Sequence, residues 1–304
     1  MAQTQIEWTW TRCPQDRLLP GFTFNPWEGC ERVSEGCALC YAEDRDRRYQ
    51  GGRHWGPKCR TPRKMMTAPY WRQPFAWNRM AQREGTPLRV FCASLADVFE
   101  DHSGPCIVHP TSPVQTVPQA RARLWQVIGD TPWLVWMLLT KRPANIRRLA
   151  PLTWRTAWPE RVWIGTSVES PLWAQVRIPS LLKIPAPVRF LSVEPLLGPI
   201  ACLPLEGVSW VICGGESGGR KERQVTPLHP DWARSIRDQC AAARVPFFFK
   251  QWGGRTANAG GRLLDGRTWD EVPASAAVPD SACVPASRDP SLAARPWWTG
   301  VHPC

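Results

Sequence analysis

Long apolar runs are missing from this 304-residue chain: none approaches the roughly 18 residues that a membrane span requires. A secretory start is missing too, since MAQTQIEWTWTRC has neither a basic opening nor an apolar stretch. The five histidines (His54, His102, His109, His229 and His302) form no H-x3-H or HExxH arrangement, which argues against a histidine-based hydrolytic metal site. Neither phosphate-loop motif is complete, and no internal repeat is visible. Lysine is scarce beside arginine. That bias, like the 19 tryptophans and 32 prolines, reads as genome composition and supports no functional conclusion.

The chain is long enough for one large α/β domain or two ordinary ones, and 43% of it is hydrophobic. Twelve cysteines are about 4% of its residues, well short of a secreted disulfide scaffold. Most are scattered. A reducing, cytoplasmic setting with metal-bound thiolates is the expectation.

Three cysteines are not scattered. In FNPWEGCERVSEGCALCYAE, Cys30, Cys37 and Cys40 have the spacing C-x6-C-x2-C. A closed structural zinc site normally takes four protein ligands, whereas three thiolates leave a coordination position for substrate. Thiolates are also the usual ligands of iron–sulfur clusters. Three cysteines on a loop at the mouth of an α/β barrel would be the arrangement of a radical S-adenosylmethionine enzyme. Two other readings stay open: a non-enzymatic zinc or nucleic-acid-binding module with Cys13 or Cys59 as fourth ligand, and a barrel that keeps a cluster only for structure.

The net charge of +12 is unevenly placed. Residues 41–90 hold twelve Lys or Arg against four Asp or Glu, interleaved with Tyr49, Trp55, Tyr70, Trp71, Phe75 and Trp77. Basic residues among aromatics suit phosphate contact and base stacking, so residues 45–89 are the candidate surface for a nucleic acid or nucleotide.

Short apolar runs alternate with helical patterns along the rest of the chain. Strands are expected at 22–25, 89–94, 133–140, 162–167, 188–193, 210–213 and 245–250, and helices at 119–128, 144–149, 172–182 and 231–243. This alternation predicts a parallel sheet with helices outside: a full or partial TIM-type (β/α) barrel. Residues 1–254 would form the barrel domain, with a Pro-rich loop insertion at 101–118. Residues 255–304 would be an irregular tail.

Each expected strand after the first runs into a polar cluster. These give Ser94, Asp97 and Glu100; Thr140, Lys141 and Arg142; Ser167 and Glu169; Ser192 and Glu194; Gly214, Gly215 and Glu216; and Lys250 and Gln251. In a parallel barrel the C-terminal strand ends form the site face. Asp97, Lys141, Ser167, Glu169, Glu194, Gly214, Gly215, Glu216 and Lys250 are therefore the candidate cofactor-binding residues.

The blocks IEWT, FNPWEGC…SEGCALCYAE, FCASLADVFED, LLTKRPANI, IGTSVES, FLSVEPLLGPI, VICGGESG and HPDWARSIRDQC…VPFFFKQWG, in this order, resemble a phage and prophage protein family of long-unassigned function related to the radical SAM superfamily. The resemblance spans residues 6–253. It implies a TIM-type barrel and a 4Fe–4S cluster on Cys30, Cys37 and Cys40, with S-adenosylmethionine and an external electron donor. The usual spacing in that superfamily is C-x3-C-x2-C, so the first gap here is longer, and Leu39 replaces the usual aromatic before the third cysteine.

Overall fold

The computed structural model describes all residues except 1–3, 5, 58–60, 109–113, 219–224, 257–258 and 274–304. Seven strands form one sheet: β1 (Phe22–Thr23), β2 (Leu88–Cys92), β3 (Leu134–Thr140), β4 (Val162–Ser167), β5 (Arg189–Val193), β6 (Trp210–Gly214) and β7 (Phe247–Gln251). Their spatial order is their chain order, and every pairing is parallel. Successive strands lie side by side with crossovers between them, so the sheet is wound in one direction, as in an arc of a (β/α) barrel. The fold is a mixed α/β half-barrel.

Each strand is almost wholly buried, as expected of a sheet covered on both faces. Outward-facing residues such as Val90, Trp136, Ile164, Leu191, Val211 and Phe249 join the main core. Packed on this face are α2 (Gln73–Arg83), α3 (Val117–Gly129), α4 (Pro171–Leu182) and α5 (Pro230–Ala242), whereas α1 (Tyr41–Gln50) contributes no residue to that core and starts at the cavity. Local signals fix the helix starts. Thr116 and Gln119 make a reciprocal capping box ahead of α3, and His229 Nδ1 accepts from the Asp231 amide ahead of α5. Pro171 and Pro230 open their helices, where a missing N–H costs nothing.

The inward face has its own core. Phe91, Val135, Met137, Trp163, Phe190, Trp210 and Phe248 form a second cluster, and Trp8 plugs its base. The Trp8 ring meets Phe91 edge-on at 4.7 Å between centroids and Trp210 at 6.2 Å. It comes from a short 3-10 turn, Glu7–Thr9, that touches both β2 and β7. Arg89 lies under this layer, donating to the Trp10 carbonyl at 2.8 Å with its guanidinium 5.1 Å from the Trp163 ring. Burial pushes its pKa down to about 10.

Three expectations need correction. The expected loop at 101–118 contains two short strands, Pro105–Ile107 and Gln115–Thr116, which complete a four-stranded side sheet with Trp27–Glu28 and Arg63–Met65. The tail does not begin at 255. Trp269 packs edge-on against Phe247, Phe248 bridges Asp270, and the Glu271 carbonyl accepts from Trp210 Nε1. These contacts carry the folded unit on to the last described residue, Pro273; residues 274–304 lie outside the described set. The expected helix at 144–149 is only a 3-10 turn, Pro143–Asn145, followed by a single α-helical turn. Among the described residues no helix is long and apolar enough to cross a membrane.

Candidate functional site

The register sets the inner wall in layers. Thr140 pairs with Thr166 and Ser167 with Ser192, so Lys141, Ser167 and Ser192 stand level on three neighbouring strand ends. Below them Leu139, Gly165 and Phe190 form the next layer, and a Cβ on Gly165 would collide with the Phe190 ring. The strand ends and the cysteine loop enclose a cavity of about 210 Å3. Trp8, Phe91 and Leu139 make its apolar floor. Cys30, Cys37 and Cys40 line one side, and Glu194, Gly215, Glu216 and Lys250 the other.

The loop carrying Cys37 is fastened to the corner between β4 and α4. Ser34 donates to Glu169 Oε1 at 2.7 Å, while Glu35 accepts from Ser170 Oγ at 2.7 Å and from Trp173 Nε1 at 2.6 Å. The two hydrogen bonds draw the Glu35 carboxyl below its ordinary range against the opposing pull of burial. Gly36 rests directly on Glu169, leaving no room for a Cβ. Cys40 stands at the start of α1. Burial raises its thiol, and the amides of Glu43 and Ala42 at the helix start partly offset this.

Cys30 has a different neighbourhood. Arg142 Nη1 donates to its sulfur at 3.5 Å and to Asp97 Oδ2 at 2.9 Å. Arg142 Nη2 donates to the carbonyl of Glu31 at 2.6 Å. Burial pushes the Cys30 thiol up, with Arg142 pulling against it. Behind Arg142, the fully buried Arg63 makes a two-pronged bond to Glu100 at 2.8 and 3.0 Å.

Of the residues singled out from sequence, Cys30, Cys37, Cys40, Asp97, Lys141, Ser167, Glu194, Gly215, Glu216 and Lys250 line the one cavity. Their parts differ. Asp97 is occupied by Thr140 Oγ1, the Lys141 amide and Arg142, so it holds the wall together. Lys250 and Glu194 pair at 2.5 Å, and Glu216 accepts from the Thr226 amide. Glu169 and Gly214 are not part of the lining. Glu169 is buried behind it, bonded to Arg177 at 2.5 Å, with Lys141 Nζ at 3.5 Å. Burial depresses the Lys141 ammonium, but Glu169 and the thiols of Cys37 and Cys40 outweigh it and leave the pKa raised.

Sequence reasoning missed Trp8, Arg32 and Tyr41 in the lining, and Trp55, one of the aromatics of the basic stretch, joins them there. Trp8 stands in the IEWT block, and Tyr41 directly follows the third cysteine. Nothing local signals Arg32.

Much of the charge in the basic stretch is buried or paired within the chain. Arg63 and Arg89 are buried, Arg45 and Lys64 pair with Glu28, and Arg47 pairs with Glu43. The exposed cations there include Arg48, Arg53, Arg72, Arg79 and Arg83, while Arg60 lies outside the described residues.

Three free thiols lining one cavity are donors of the kind that iron–sulfur clusters use. The described cysteines are all free, and the other six, Cys13 among them, stand away from the cavity. Cys59 lies outside the described residues. Among the described residues no three His, Cys, Asp or Glu side chains converge closely enough for a single metal ion. Zinc ligands, each about 2.3 Å from the metal, stand within about 4 Å of one another.

The family model described as protein of unknown function (DUF5131) matches residues 3–273. Comparison with curated proteins and with solved structures returns no match.

Proposed function

We propose that this chain, which belongs to the DUF5131 family, is an iron–sulfur enzyme of the radical S-adenosylmethionine class, acting on a nucleobase or nucleotide. One observation carries the reading. Three free thiols, with no fourth cysteine beside them among the described residues, line a cavity at the C-terminal mouth of a parallel half-barrel.

Cys30, Cys37 and Cys40 would hold the cluster. Bound there and reduced, it would supply one electron for reductive cleavage of the sulfonium of S-adenosylmethionine to methionine and a 5′-deoxyadenosyl radical. The protein's part is binding, orientation and exclusion of water. Ser167 and Ser192 present hydroxyls at one height for a ligand's polar edge, with Lys141 as the adjacent cation. Lys250 and Glu194 offer both charges across the cavity for a zwitterionic group. The apolar floor of Trp8, Phe91 and Leu139 shields a reactive carbon from solvent. Tyr41 and Trp55 offer ring faces to an incoming base. A base from a duplex would have to be extruded to reach this depth. The exposed arginines of residues 45–89 would hold its phosphates, and an external donor would reduce the cluster.

Anaerobic reconstitution with iron and sulfide tests the class. Brown protein that forms 5′-deoxyadenosine and methionine from S-adenosylmethionine under a reductant is the expected result. Cluster-loaded protein that leaves S-adenosylmethionine intact would overturn the enzymatic reading.

A further inference from the structure

Six buried or half-buried groups meet behind Cys30. Glu100 takes the two-pronged bond from Arg63 and lies 3.7 Å from Arg142 Nη2. Arg121 donates to the carbonyls of Val98 and Glu100 at 2.7 and 2.6 Å. Asp97 accepts from Arg142. Nearby His102 is neutral: its Nδ1 accepts from the Gly104 amide, which leaves the proton on Nε2, facing the Thr61 carbonyl.

Three guanidinium groups therefore face two carboxylates, and one positive charge is left over. Burying an unbalanced charge is costly, so its counter-charge should be close. Asp101, the other anion near Arg121, lies toward solvent and pairs with Arg148, so that pair leaves the balance unchanged. The group beside Arg142 that can carry the counter-charge is the Cys30 sulfur, 3.5 Å from Arg142 Nη1. With Cys30 as a thiolate ligand the buried charges sum to zero. Arg142 also grips the Glu31 carbonyl, so one side chain fixes both the sulfur and the backbone beside it. Cys37 and Cys40 have no arginine bonded to their sulfurs among the described residues; Ser34 Oγ lies 3.8 Å from Cys37, and α1 amides serve Cys40.

We infer that Arg142 is a positioning residue for the cluster. It anchors the cluster at Cys30 and, through its N–H bond to that sulfur, raises the cluster's reduction potential. This rests on the cluster reading proposed above. Hydrogen bonds and positive charge at cysteine sulfur stabilise the reduced, more negative form of a cluster, and partners outside the ligand set tune metal retention 10–100-fold. Lysine at 142 keeps the charge but cannot bond Cys30, Asp97 and the Glu31 carbonyl with one planar fork.

Wild type, Arg142→Lys and Arg142→Gln should be reconstituted anaerobically. Iron content, chelator release rate, midpoint potential and the EPR spectrum of the reduced cluster are then compared. Arg142→Lys should hold a cluster that is released about 10-fold faster and has a more negative potential, with an altered EPR signal. Arg142→Gln, lacking the charge as well, should shift the potential further the same way. Should Arg142→Gln fail to fold, Arg142→Lys decides alone. A wild type without a cluster defeats the underlying reading. A wild type with one, beside an Arg142→Lys protein of unchanged potential and release rate, defeats only the role given to Arg142.

Discussion

Gly36→Ala should change sign with its surroundings. The added Cβ would fall 2.6 Å from Glu169 Oε1 and 2.8 Å from Cδ, with Cγ closer still. Glu169 cannot step aside, being fully buried and held by Ser34, Arg177 and Lys141. Overpacking of this kind costs about 1–3 kcal/mol. Against it stands about 0.4–1 kcal/mol gained by restricting the unfolded chain. That gain is available because Gly36 sits in a 3-10 turn, Glu35–Cys37, whose backbone alanine adopts readily. The net expectation is a loss of up to about 2.5 kcal/mol. Each kcal/mol lowers the melting midpoint by about 2–4 °C in domains of 150–250 residues. In a Glu169→Ala, Arg177→Met background the clash disappears and no unpaired Arg177 is left buried; Lys141 and Ser34 lose their Glu169 contact equally with either residue at position 36, so that loss cancels in the comparison. There Gly36→Ala should stabilise by about 0.4–1 kcal/mol. Urea unfolding of the four metal-free proteins reads the cycle. An equal loss in both backgrounds would refute the claim that Glu169 is what Gly36 accommodates.

Cys30→Ala, Cys37→Ala and Cys40→Ala should each abolish cluster absorbance, whereas Cys202→Ala, altering an exposed thiol away from the cavity, should retain it; full iron content in Cys37→Ala would count against the ligand set. The Glu35 carboxyl is held below its ordinary pKa, so its stabilising contribution is complete above about pH 4.3, the unfolded value. It is lost as pH falls through the depressed folded value, and the stability difference between wild type and Glu35→Gln should shrink over that window in acid titrations. If single-stranded nucleic acid binds beside the cavity, affinity should fall steeply with salt, and charge reversal at the exposed Arg48 and Arg53 should weaken it without altering the cluster spectrum. Arg63→Glu is unsuitable for that test, because it would break a buried ion pair.

The strands were legible because a strand buried on both faces must be apolar throughout, as in RVFC, LVWMLLT and VWIGTS. The polar residues after them were legible as a ring because parallel strands end on one side. What remained hidden depends on contacts between distant segments. Helix α2 buries Pro74, Trp77 and Ala81 and rests Phe75 and Met80 on the core, but its apolar residues also fit a stretch read for charge and base stacking, and only the packing shows them as one helix face. The side sheet has strands of two or three residues, below any period-2 signal. Glu169 and Lys141 looked alike in sequence as strand-end charges. Their difference, one buried behind the wall and the other on it, arises from Arg177 and Ser34, brought close by the folding of α4 and the cysteine loop. In the basic stretch, likewise, nothing in the sequence distinguishes Arg45, Arg63 and Lys64, which pair with carboxylates from elsewhere in the chain, from the arginines left exposed.

The metal content of protein purified and reconstituted without oxygen bears most directly on the central claim. Iron and sulfide at about four each per chain, with brown sulfur-to-iron charge-transfer absorbance that vanishes in Cys37→Ala, is the predicted result. Colourless protein holding one zinc per chain would contradict it.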